Sequence, residues 1–131
     1  MGQLNQAIKI KNVLDYYDIE NFVETGTGQA EVVRSVYEAN EKLNIHTIEV
    51  VPEIFDQNKI KFSYLKDVSW HLGTSFKILP AILPTFEGNT LFWMDAHFPG
   101  ADFGLSSYGD EKDMDKRLPL QRELESIVQS R

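Results

Sequence analysis

Apolar residues recur along this chain at two spacings that take turns. Over residues 3–17, Ala7, Ile10, Leu14 and Tyr17 fall three and four apart, which predicts an amphipathic helix. Residues 19–24 form a short apolar run stopped by glycine and predict a strand. Over 29–43, Ala30, Val33, Val36 or Tyr37, and Leu43 mark one side of a second helix, with charges between them. The β-branched run "IHTIEV", 45–50, predicts a second strand. Pro52 suits the first turn of a third helix that runs to about residue 62, with Ile54, Phe55, Asn58 and Phe62 inward. Residues 68–72 predict a third strand, and 75–83 a short helix capped by Ser75 and bent at Pro80. A fourth strand follows at 90–95, "TLFWMD". Residues 98–116 are rich in Gly and Asp without periodicity, and 118–128 resume a helix with Leu120, Leu124, Ile127 and Val128 inward.

Strand and helix thus alternate four times. The strands are nearly continuous apolar runs, as expected when helices cover both faces of a sheet. The predicted fold class is α/β: a Rossmann-like parallel sheet with right-handed crossovers and flanking helices. Ligands of such sheets bind beyond the carboxyl ends of the strands. The residues there are 24–28, Glu49, 73–75 and 95–97.

The turn after the first strand reads "FVETGTGQAE". Gly26 and Gly28 remove two β-carbons, so a ligand can lie against bare backbone near the start of the next helix. A dinucleotide-binding turn ends in a third glycine or an alanine, but the sixth position here is Glu31. The Gly-Lys-Ser/Thr ending of a P-loop is absent. Glu24 aims an anion at the same crevice, which opposes a pyrophosphate and suits a sulfonium or ammonium group. Glu49 ends the second strand about 20 residues on, where a carboxylate accepts from a ribose diol. Together these features point to a nucleoside without a pyrophosphate.

Composition narrows the partners. The chain has 131 residues, 42% of them hydrophobic, enough for one domain with one core. Thirteen Lys and Arg face twenty Asp and Glu, a net charge of −7 with no basic cluster, so no nucleic-acid partner is expected. Without cysteine there are no disulfides or thiolate metal sites. No signal-peptide core, myristoylation signal or bilayer-length apolar run is visible, which fits a cytoplasmic protein without a membrane partner.

"FVETGTG", "IEV", "GTS" and "LFWMDAHFPG" together resemble the class I S-adenosylmethionine (SAM)-dependent methyltransferases, in particular small bacterial and viral members with a Leu/Met-Asp-Ala-His strand end. The resemblance spans about residues 19–100. It implies a strand order of 3-2-1-4. It also implies that Glu24, Thr25, Gly26, Thr27 and Gly28 hold the methionine part of SAM and Glu49 its ribose. The turn after the third strand would line the adenine; related sequences carry Gly-Asp-Ser there, and this chain has Gly73-Thr74-Ser75, so Thr74 or Ser75 would take the adenine contact. The family domain has about seven strands. Four are legible here, so a C-terminally truncated, partial domain is expected. Its fourth-strand edge would be protected by a homodimer or by residues 98–116.

Asp95 and His97 stand two apart after the fourth strand, on one side of an extended chain. Methyl transfer to a hydroxyl or amine requires positioning and removal of a proton. His97 is a candidate base, and Asp95 would orient it, contact SAM, or join it on a divalent metal. Each residue also has a plainer reading. The glycines serve a tight turn, Glu24 caps the next helix, Glu49 is a solvated strand end, Asp95 caps a loop, and His97 is a histidine satisfied by backbone. His46 and His71 read as structural, Trp70, Phe92 and Trp93 as core, and "DEKDMD" as a solvated loop. The functional expectation is methyl transfer to a small molecule or glycan. A non-catalytic half-domain held by self-association and a dinucleotide-dependent oxidoreductase are the alternatives.

Overall fold

The computed structural model describes residues 2–94 and Ile127. In chain order the elements are α1 (Gly2–Tyr16), β1 (Ile19–Thr25), α2 (Glu31–Ala39), β2 (Asn44–Glu49), α3 (Pro52–Lys61), β3 (Val68–Leu72), α4 (Ser75–Ile82), a 3-10 turn (Leu83–Thr85) and β4 (Asn89–Met94). The strands form one parallel sheet in the order β3-β2-β1-β4, as the resemblance implies. Among the described residues, β3 and β4 are its edges.

Side-chain alternation sends each strand's apolar residues to two cores. On one face Phe22 and Ile45 pack with Leu14 of α1, Val33 and Val36 of α2, and Phe62 and Leu65 after α3. On the other, Val23 and Ile48 pack with Leu79 of α4 and with Leu83, and Phe92 lies against them. Ile127 is helical and joins this second core, as its inward position in the predicted 118–128 helix requires. The rest of that helix, the 98–116 segment and the "DEKDMD" run lie outside the described residues. No described helix is long and apolar enough to cross a membrane.

Several boundaries differ from the sequence reading, each for a local reason. Helix α2 starts at Glu31 because Ala30 has a left-handed backbone, φ 62°, and closes a turn through its N–H to the Thr27 carbonyl. It stops at Ala39 because Asn40 is extended and its side chain accepts from the Lys42 N–H, a local alternative to the helix. Tyr17 falls beyond α1 and is 60% exposed, the chain reversing at Asp18 (φ 50°). Thr74, not Ser75, is the N-cap of α4, with no side-chain cap bond. Helix α4 continues past Pro80 and tightens into the 3-10 turn. Trp70 and Phe92 pack against the cores as expected, whereas Trp93, on the edge strand, is 44% exposed.

His46 and His71 belong to a polar strip on the α4 face. His46 Nε2 lies 2.9 Å from Asn44 Oδ1 and its Nδ1 lies 2.9 Å from His71 Nε2. Asn44 donates to Asn21 Oδ1 at 2.9 Å, and Asn21 donates to the Glu87 carbonyl at 2.6 Å. An amide oxygen only accepts, so His46 carries its proton on Nε2 and its Nδ1 accepts a hydrogen bond from His71 Nε2–H. The two rings are nearly coplanar, 8° apart with centroids 5.2 Å apart, meeting edge to edge through that bond. Burial and the facing His71 hold the His46 pKa down, from 6.5 to about 4; burial also lowers that of His71. These histidines are structural, as the sequence suggests.

Candidate functional site

The carboxyl ends of β1 and β2 bring Glu24 and Glu49 to one face of the sheet. Glu24 pairs in register with Thr47, and Thr47 Oγ1 donates to Glu24 Oε1 at 3.0 Å. Thr27 Oγ1 lies 2.6 Å from Thr47 Oγ1. A hydroxyl has one proton, and that of Thr47 is engaged by Glu24, so Thr27 is the donor to Thr47. The result is a one-way chain, Thr27 to Thr47 to Glu24, ending on a carboxylate that is 2% exposed.

The glycine turn is suspended above this chain. The N–H groups of Gly26 and Thr27 both reach the Ile48 carbonyl, at 2.9 and 3.2 Å, and so extend the β1–β2 ladder past its last strand residues. Gly26 and Gly28 have φ of 81° and 55°, a left-handed backbone that glycine adopts without penalty. A β-carbon added at Gly28 would meet nothing within 4 Å. Packing among the described residues therefore does not demand glycine at that position; its φ does.

Glu49 joins the turn to the start of α3. Its Oε1 accepts from the Gly28 N–H at 3.0 Å, and its Oε2 from the N–H groups of Val50 and Val51 at 3.0 and 3.1 Å. It is 7% exposed, so the reading of Glu49 as a solvated strand end does not hold. An ionised carboxylate has about four acceptor positions, and backbone fills three of them here. A diol donating twice to Glu49 therefore has to displace one of these bonds, and the bond to Gly28 is the one that borders the turn. Glu24, Thr25, Thr27 and Glu49 are all buried.

The turn after β3 borders the same end of the sheet, the Gly73 N–H donating to the Glu49 carbonyl at 2.9 Å. Thr74 Oγ1 is buried there without a hydrogen-bond partner among the described residues, an uncommon and costly state for a hydroxyl. Ser75 is buried, at the first position of α4. Thus the predicted residues Glu24, Thr25, Gly26, Thr27, Gly28, Glu49, Thr74 and Ser75 gather at one end of the sheet. Asp95 and His97 lie outside the described residues. Among the described residues no group of three or more His, Cys, Asp or Glu side chains is placed to hold a metal ion.

Sequence reasoning overlooked two members of the site. Thr47 is a polar residue on the inward face of an apolar strand, between Ile45 and Glu49 on that side. Asn58 was expected to face inward, and it is buried, but its Nδ2 donates to the Gly28 carbonyl at 2.6 Å. An uncharged polar residue on a buried face was the available signal in both cases.

The glycine turn, the fixed carboxylates and a Thr74 hydroxyl without a partner among the described residues fit a nucleoside carrying a positive group. No family model matches the chain, and no curated protein does. Solved structures do match its fold. A methyltransferase of Podospora anserina bound to SAH aligns over 95% of this chain at 17% identity and a TM-score of 0.62, and this chain spans 46% of its length. The O-methyltransferase TomG of Streptomyces achromogenes, involved in tomaymycin synthesis and solved with SAM, aligns over 95% at 16% identity and a TM-score of 0.57, with 68% of its length spanned. An O-methyltransferase of Bacillus cereus in complex with SAH gives 95%, 18% and 0.58, with 69% spanned. The architecture is that of a partial Rossmann-like class I methyltransferase fold.

Proposed function

We propose that this chain is a SAM-binding methyltransferase domain whose acceptor is a small molecule or glycan. One observation carries the reading: Glu24 and Glu49 flank a single glycine turn and are tied to it through Thr47, Thr27 and the Gly28 N–H. The likeness to structures solved with SAM or SAH supports the same ligand. When bound, SAM supplies a methyl group activated by its sulfonium charge. The protein's part is to hold that charge near Glu24, to let Thr25, Gly26, Thr27 and Gly28 border the amino-acid portion, and to receive a ribose hydroxyl on Glu49. Thr74 Oγ1, buried and unpaired, takes a polar edge of the base beside Ser75. Asp95 and His97 keep their assignment from sequence: His97 accepts the acceptor's proton and Asp95 orients it. The domain is cytoplasmic in this reading and self-associates along the β4 edge.

A dinucleotide-dependent oxidoreductase is disfavoured by Glu31, which occupies the third-glycine position as the exposed first residue of α2. A pyrophosphate placed on that helix start would meet a carboxylate. Calorimetric titration with SAM, SAH and NAD tests the assignment. SAM and SAH are expected to bind and NAD is not. Binding of NAD alone refutes the reading, and binding of none of the three favours a non-catalytic domain.

A further inference from the structure

We propose that Asn58 is a positioning residue of this site, one that sets how firmly the glycine turn holds its nucleoside. The inference rests on the functional reading just given and deepens it.

Asn58 lies inside α3 and is 5% exposed. Its side chain crosses to a turn thirty positions earlier in the chain and bonds the Gly28 carbonyl at 2.6 Å. That oxygen can only accept, so the amide nitrogen of Asn58 is the atom facing it. Gly28 is thereby held on both sides, by Glu49 at its N–H and by Asn58 at its C=O. It has no side chain to pack, and the space where one would project is open. A glycine in this setting ranges over left- and right-handed backbone unless its polar groups are tied. Two residues on, Ala30 also holds a left-handed backbone, φ 62°, a conformation that persists in alanine when its surroundings enforce it. The Asn58 bond ties the body of α3 to this strained stretch, as Glu49 ties its start.

Residue type matters at position 58. A carboxylate would set lone pairs against the Gly28 carbonyl and add a third acid beside Glu24 and Glu49. Leucine would keep the branching, with greater bulk, and leave the carbonyl without its donor. Asn58 itself touches no ligand in this proposal; it acts through Gly28, whose N–H and Glu49 partner border the nucleoside.

The test compares wild type, Asn58→Leu and Asn58→Asp in three measurements: SAH affinity by calorimetry, amide exchange of Gly28 by NMR in the protein alone, and melting temperature. Asn58→Leu is expected to weaken SAH binding about tenfold and to speed Gly28 exchange. Asn58→Asp is expected to match it at neutral pH. As pH falls and the new carboxyl gains a proton it becomes a donor, so affinity recovers relative to wild type at the same pH. A residue that only fills α3 would lower the melting temperature and leave these readouts alone. Folded variants with wild-type affinity and wild-type Gly28 exchange overturn the inference and leave the functional reading standing. If Asn58→Leu does not fold, the pH recovery of Asn58→Asp decides alone, and its absence is equally fatal. A wild-type protein that does not bind SAH brings down both.

Discussion

His71, His46, Asn44 and Asn21 pass hydrogen bonds in one direction across three strands on the α4 face; Thr27, Thr47 and Glu24 do the same across the opposite face. The first chain ends on a backbone carbonyl, that of Glu87. Its histidines are held neutral by burial, and Phe86 packs against His46, ring centroids 4.9 Å apart. The second chain ends on a carboxylate, on the same face as a second carboxylate that holds the glycine turn. Buried polar networks that close on themselves specify packing and register. Those that end at the carboxyl ends of the strands lie where ligands of such sheets bind. Strand polarity separates the two. The acidic chain sits at the carboxyl ends of β1 and β2, and the amide strip begins near their amino ends, at Asn21 and Asn44.

The comparison is most exposed at Glu49. Replacing it with alanine should weaken SAH binding by about 1–3 kcal/mol and also cost stability, because the N–H groups of Gly28, Val50 and Val51 lose their acceptor. Calorimetry that returns wild-type affinity for Glu49→Ala would erase the distinction between the chains. Next is an acid titration of the free protein. The His46 pKa is lower folded than unfolded, so the unfolded chain binds the extra proton first. This contribution to stability is complete above pH 6.5 and is lost as pH falls from 6.5 to about 4. With allowance for solvent screening its size is about 1–2 kcal/mol. Denaturant melts of wild type and His46→Phe across this window should differ in slope, the variant being the flatter, while their SAH affinities agree at neutral pH. Equal slopes would mean that the strip does not carry neutral histidines. The smallest effect is expected at Thr74→Val. Removing an unpaired buried hydroxyl leaves stability unchanged or raises it by up to about 1 kcal/mol. The same change should lower SAH affinity a few-fold, and a variant that gains stability without losing affinity takes Thr74 out of the site.

Much of this architecture is visible in the chain itself. The four strands and four helices of the described region lie where the spacing of apolar residues predicts, within a few residues. The misplaced ends share a cause: backbone conformations at Asp18, Ala30 and Asn40 that periodicity does not report, since alanine in particular gives no hint of a left-handed φ. The site was half legible. Gly26, Gly28, Glu24 and Glu49 stand at strand ends, where chemistry is expected. Thr47 and Asn58 sit in mid-element positions, where a polar residue reads as incidental.

What the sequence determined alone is local: where strands and helices fall, that the strands are nearly continuous apolar runs, and that two acids bracket a turn without side chains. These follow from side-chain period and from glycine and proline, which act over a few residues. The tertiary structure decided which polar groups meet. Thr47 finds Glu24 across 23 positions, His71 finds His46 across 25, and Asn58 finds Gly28 across 30. Each meeting depends on strand order, register and the docking of α3. A slip of one residue in β2 would turn Thr47 and Glu49 to the opposite face; the packing of the two cores and the cross-strand hydrogen bonds hold that register.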